Sequence, residues 1–187
     1  MEFQHNFCES RLNNNNPPEI LNSYSSLIIS FIPYFFNHPH FDQLIHIKYL
    51  LIFNGIGSFI YHYYLNWLGK HLDEISMIMM NYYGLNFLLD IFLIKKFNNL
   101  SYDGILINTV KQANLYVMII LITINTFIKY DYLFPITFGI YILITVLFII
   151  LNGIIYKYNL IKIRNFLGIS LIGAFFWILS ELYCNNI

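Results

Sequence analysis

Six apolar segments, each near the length that a bilayer core demands, divide this sequence. A helix rises about 1.5 Å per residue, so a hydrocarbon layer about 30 Å thick takes about 20 residues to cross. The segments run from Glu19 to Phe36, Ile47 to Tyr64, Asp73 to Ile94, Gln112 to Ile128, Tyr132 to Ile155 and Phe166 to Cys184. No strand-type alternation or internal repeat interrupts them, and isolated strands would leave backbone groups unsatisfied in lipid. The expected fold is all-α: a polytopic membrane helical bundle with six transmembrane helices. It divides into an N-terminal segment, residues 1–18, and one transmembrane domain, residues 19–187.

Charge agrees with that reading. Only 11% of the 187 residues are charged and 58% are hydrophobic, whereas a soluble domain carries roughly 25% charge. Ten Lys and Arg offset ten Asp and Glu with no basic block, which argues against a nucleic-acid partner. The polar start, with its "NNNNPP", lacks the apolar core of a secretory signal peptide, so the first membrane helix would direct insertion. Cys8 and Cys184 have no metal-type or redox-type spacing; a lumenal disulfide and two unrelated thiols both stay open.

Orientation follows from counting cations. Lys48, Lys95, Lys96, Lys111, Lys157, Lys162 and Arg164 lie on the side reached after the first, third and fifth segments. Arg11, Lys70 and Lys129 share the side of the N-terminus. Cytosolic loops collect Lys and Arg, so the N-terminus is expected in the lumen. The single N-glycosylation sequon, Asn99-Leu100-Ser101, then faces the cytosol and carries no glycan. A gel shift lost on Asn99→Gln, after expression in a eukaryotic cell, would show the opposite orientation.

The stretch "NGIGSFIYHYYLNWLGKHLDEISMIMM", residues 54–80, places Ser58, His62, His71, Asp73 and Glu74 in an otherwise apolar setting. Ser58 and His62 are four apart and share a helix face. Asp73 returns on the next helix at the same lumenal level. Serine, histidine and carboxylate at one depth suit a metal with a bound water, whose proton a carboxylate can take. A structural reading stands beside this one. Gly55, Gly57 and Ser58 are small enough for close helix packing. Asp73 would serve as the N-cap of the third helix, with Glu74 and Ser76 in its first turn. His62 would bond across helices.

The segment "GIGSFIYHYYLNWLGKHLDEISMI" resembles the signature of the alkaline ceramidases, G-x-G-S-x-x-x-H followed after ten residues by D-E-x-P-M. Gly55, Gly57, Ser58, His62, Asp73, Glu74 and Met77 match it, while Ser76 stands where the family usually has proline. "NFCESRL…PEILNSYSSL" and "GISLIGAFFWILSELYC" resemble the family's opening segment and sixth helix. The resemblance implies a seven-helix hydrolase of the endoplasmic reticulum, Golgi or plasma membrane. Such an enzyme cleaves ceramide, a sphingolipid, to sphingosine and a fatty acid. It implies that His62 is a zinc ligand and that Ser58 and Asp73 are catalytic, with Asp73 handling the proton. It also implies calcium at Asn6, Phe7 (through its carbonyl), Glu9 and Glu19, with Arg11 in place of a family ligand. Glu19 equally reads as a first-turn acid favoured by the helix dipole.

The family takes two further zinc histidines from an H-x-x-x-H on its seventh helix. The histidines here, at 5, 38, 40, 46, 62 and 71, include no such pair. With Ile187 three residues after Cys184, the sequence reads as a C-terminally truncated member, expected to bind zinc weakly and to hydrolyse ceramide poorly or not at all. His5 and His71 lie on the side where a substitute ligand would be needed. Two alternatives remain: a non-catalytic relative that binds lipid or a partner, and a receptor-like or lipid-remodelling relative among seven-helix metal hydrolases.

Overall fold

The computed structural model describes residues 19–35, 42–96, 103–128 and 133–156, together with Gly168, Ile172 and Phe175. Among them there are five α-helices and no strand: α1 (Ile20–Phe31), α2 (Asp42–Tyr64), α3 (Trp67–Lys96), α4 (Asp103–Phe127) and α5 (Leu133–Tyr156). A 3₁₀ turn, Ile32–Phe35, prolongs α1. Pro33 accounts for the change, since proline has no N–H to continue the helical hydrogen-bond ladder.

Length and apolar composition fit a membrane crossing for Leu44–Tyr64, Asn108–Phe127 and Leu133–Leu151, and Ile20–Phe35 is a shorter apolar helix. α3 has the length but is more polar, holding Asn81, Asn86 and Asp90. The expected sixth helix, Phe166–Cys184, lies outside the described residues except for Gly168, Ile172 and Phe175, which are helical. Residues 1–18 also lie outside them.

The distribution of side chains is inverted relative to a soluble protein. Ile136, Ile140, Leu143, Leu147, Leu151 and Ile154 recur at helical spacing along α5 and are between 48% and 62% exposed. Ser23, Ser58, Asn86 and Asn114 are buried. A soluble monomer rarely exposes so continuous an apolar face, whereas lipid is a suitable neighbour for it. The interior is held by an apolar cluster of Ile78, Leu85, Leu89 and Tyr141 and by hydrogen bonds between helices. Asn114 Nδ2 donates to Asn86 Oδ1 at 2.8 Å, Tyr141 Oη donates to Asn114 Oδ1 at 2.7 Å, and Thr145 Oγ1 donates to Asn81 Oδ1 at 2.9 Å. Such bonds contribute about 0.6 kcal/mol each in a membrane protein. Their greater role is to satisfy groups that lipid would leave bare.

Three helices extend beyond their apolar segments. α2 starts at Asp42 instead of Ile47, α3 at Trp67 instead of Asp73, and α4 at Asp103 instead of Gln112. Lys111, assigned to a linker by its charge, lies within α4 and pairs with Asp90 of α3. The start of α3 corrects the expected capping. Asn66 is the N-cap: its Oδ1 accepts the Gly69 N–H at 2.7 Å, and Asp73 lies in the second turn. A proline at position 76 would remove one backbone donor and crowd the Leu72 carbonyl, favouring a helix that begins near Asp73. Ser76 lets α3 run continuously from Trp67.

α1, α2 and α3 pack antiparallel and approach closely. A Cβ built on Gly55 would lie 2.3 Å from Ser30 Oγ and 2.6 Å from the Ser30 backbone nitrogen. One on Gly57 would lie 2.9 Å from the backbone nitrogen of Asp73. Gly55→Ala is therefore expected to lower stability by about 1–3 kcal/mol through overpacking, measured as a lower thermal midpoint of the detergent-solubilised protein.

Candidate active site

The α2 register sets the site. Asn54, Ser58 and His62 recur at intervals of four residues and so lie along one side of the helix. Each is matched by a partner from a neighbouring helix. Asn54 meets Asp73 of α3, Ser58 meets Ser26 of α1, and His62 meets Glu19 at the start of α1.

Glu19 is fully buried. Its Oε2 is paired with His62 Nδ1 and accepts from Asn22 Nδ2 at 3.3 Å. Its backbone N–H donates to the His62 carbonyl at 3.0 Å, so the start of α1 is tied to the last turn of α2 through both main chain and side chain. A carboxylate on one ring nitrogen fixes the orientation of an imidazole. Serines also line α1. Ser23 Oγ donates to the Glu19 carbonyl at 2.5 Å, and Ser26 Oγ to the Asn22 carbonyl at 2.7 Å. With its hydrogen given to Asn22, Ser26 Oγ is an acceptor for the Ser58 hydroxyl, 2.9 Å away.

Asp73 projects from the second turn of α3 and is partly buried. Asn54 Nδ2 donates to its Oδ1 at 2.7 Å, and His62 lies within electrostatic reach of it. Ser58, His62, Asp73 and Glu19 thus share one end of the bundle. Asn6, Phe7, Glu9 and Arg11 lie outside the described residues. His71, two positions before Asp73, falls on the opposite side of α3. Its ring is buried edge-on against Trp67, with centroids 4.1 Å apart, and neither nitrogen has a hydrogen-bond partner among the described residues.

A matching family profile completes the picture: the Ceramidase family model covers residues 2–187. The chain belongs to the ceramidase family. No curated protein and no solved structure gives a significant match. Membership makes the chain ceramidase-like in function and places it among membrane hydrolases that are generally metal-dependent and act on sphingolipids.

How far do the residues of this ceramidase-family chain fit a metal? His62, held by Glu19 through Nδ1, would ligate through Nε2, the carboxylate–histidine–metal order found in metalloenzymes. Catalytic zinc takes three protein ligands, and among the described residues no group of three or more His, Cys, Asp or Glu could hold a metal. The described residues therefore fit one corner of a zinc site. For calcium they include Glu19 alone of the implied set.

Asn54, Ser26 and Asn66 are site or site-shaping residues that the sequence reading passed over. Asn54 had a signal, its spacing of four from Ser58 and eight from His62. Ser26 had a weaker one, the run Ser23, Ser26 and Ser30 along a single helical face.

Proposed function

We propose that this ceramidase-family protein hydrolyses the linear amide of ceramide to sphingosine and a free fatty acid. It does so as a multi-pass protein of the endoplasmic reticulum or Golgi membrane, with its N-terminus and the Ser58–His62–Asp73 end of the bundle in the lumen. What supports this reading is that Ser58 and His62 stand one helical turn apart near the end of α2, with His62 within electrostatic reach of Asp73, in a chain that the family model matches.

The bundle end is suited to a lipid amide, whose chains can remain among the exposed apolar faces while the polar group reaches the end of α2. Attack of water on the amide carbonyl carbon forms the new C–O bond, and collapse breaks the C–N bond. Asp73 takes the proton that the water loses and returns it to the departing amine, so the carboxylate is regenerated in each cycle. Ser58, with its hydroxyl directed by Ser26, binds the reacting group. His62, oriented by Glu19, would be the first of the zinc ligands. Zinc, when bound, acidifies water and neutralises negative charge on the carbonyl oxygen. Glu19, with Asn6, Phe7 and Glu9, would hold calcium, whose preference is for carboxylate and carbonyl oxygens.

A second reading is favoured by ligand counting. Among the described residues no group of three or more His, Cys, Asp or Glu could hold a metal, and on this reading the protein would keep the fold and bind a ceramide-like lipid without cleaving it. Asp73→Asn separates the two. It preserves shape but cannot accept the proton, and general acid–base catalysis contributes about 10²–10⁴-fold. Sphingosine release in lipid vesicles is expected to fall by that factor, with insertion into the membrane unchanged. An unaltered rate would remove Asp73 from the proton path.

A further inference from the structure

We propose that Asn54 is the positioning residue of the Asp73 carboxylate, an inference that rests on the reading of Asp73 as the proton carrier. Asn54 is 6% exposed and occupies an apolar stretch, Leu51-Ile52-Phe53-Asn54-Gly55, where leucine would fill a similar volume without a polar group to satisfy. A buried amide is costly unless it is hydrogen-bonded. Its Nδ2 meets three acceptors on α3: Asp73 Oδ1 at 2.7 Å, Ser76 Oγ at 3.1 Å and the Asp73 carbonyl at 3.2 Å. Ser76 Oγ in turn donates to that carbonyl at 2.8 Å.

The pattern of these contacts separates positioning from adhesion. α2 and α3 already approach to backbone distance at Gly57, so the helices do not depend on Asn54 to meet. Its shortest bond goes to the carboxylate, and bonds to an ionised acceptor are the stronger ones. Among the described residues no other hydrogen bond reaches the Asp73 carboxylate, so Oδ1 is fixed by Asn54 while Oδ2 takes none. A carboxylate held by one oxygen presents the other to a transferring proton in a constant orientation. Ser76 belongs to the same arrangement, as the second side chain on the Asn54 amide.

The test is infrared spectroscopy of the purified full chain in lipid vesicles. Subtracting the spectrum of Asp73→Asn isolates the carboxylate stretch of Asp73. The same subtraction in an Asn54→Leu background is expected to give a shifted and broadened band, because the hydrogen bond to Oδ1 is gone. Ser76→Ala, which alters the clasp but not the carboxylate contact, should leave the band in place. Should Asn54→Leu fail to fold by circular dichroism, Asn54→Ala serves for the same subtraction. An Asp73 band identical with and without Asn54 overturns the proposal. Where ceramide turnover is measurable, Asn54→Leu should lower kcat about 100-fold with KM unchanged, as a misplaced catalytic group does. A band that moves in a protein that never cleaves ceramide keeps the positioning role and overturns the hydrolase reading. A band that stays, in a protein that does cleave it, does the reverse.

Discussion

A helix carrying H-x-x-x-H, fused after Cys184 of the 187-residue chain, is expected to give about one tightly held zinc per chain. The reason is ligand geometry. One histidine cannot hold catalytic zinc, whereas two more at i and i+4 present both imidazoles on one helix face. On the proposed assignment His62 would join them, its ring oriented by the pairing of Nδ1 with Glu19. On the proposed topology a segment following Cys184 starts in the lumen, at the depth of Ser58, His62 and Asp73. Ceramide hydrolysis should appear together with the zinc, and enzymes exceed uncatalysed rates by 10⁶-fold or more, so the expected change is from background to easily measured turnover. Zinc content by mass spectrometry of the purified protein, before and after dialysis against chelator, reads the first effect directly. A fusion that inserts correctly and binds zinc yet releases no sphingosine would support the non-catalytic lipid-binding reading.

The fold was largely readable because bilayer thickness imposes a length on apolar segments. α1 and α5 coincide with their segments to within a few residues. α2, α3 and α4 start earlier because polar and charged residues, such as Asp42, Lys70 and Asp103, continue a helix past its apolar span. Apolar length records what lipid requires and says little about where a helix stops. The start of α3 shows this most clearly: Asp73 has the chemistry of an N-cap, but Asn66 takes that role and Ser76 permits the extra turns.

The site was readable in one dimension only. Spacing of four placed Ser58 beside His62, and the turn brought Asp73 back to their level. The partners of these residues depend on how α1, α2 and α3 align, which no local pattern encodes. Glu19 read as a first-turn acid from its place after Pro17 and Pro18, or as a calcium ligand from the family resemblance, and its pairing with His62 emerges only when the start of α1 meets the end of α2. Ser26 and Asn54 were similarly hidden, each being one more polar residue on a helix until its neighbour across the interface is known.

The sharpest test of the account is His62→Ala in the H-x-x-x-H fusion, with zinc content and sphingosine release measured on the same preparation. His62 is the side chain through which the α1 acid, the α2 register and the proposed metal are linked, so no neighbouring group replaces it. Its loss is expected to abolish zinc retention and reduce ceramide hydrolysis to background, while helicity and membrane insertion remain unchanged. Robust sphingosine release from purified His62→Ala protein would contradict both the ligand assignment and the hydrolytic centre built around it.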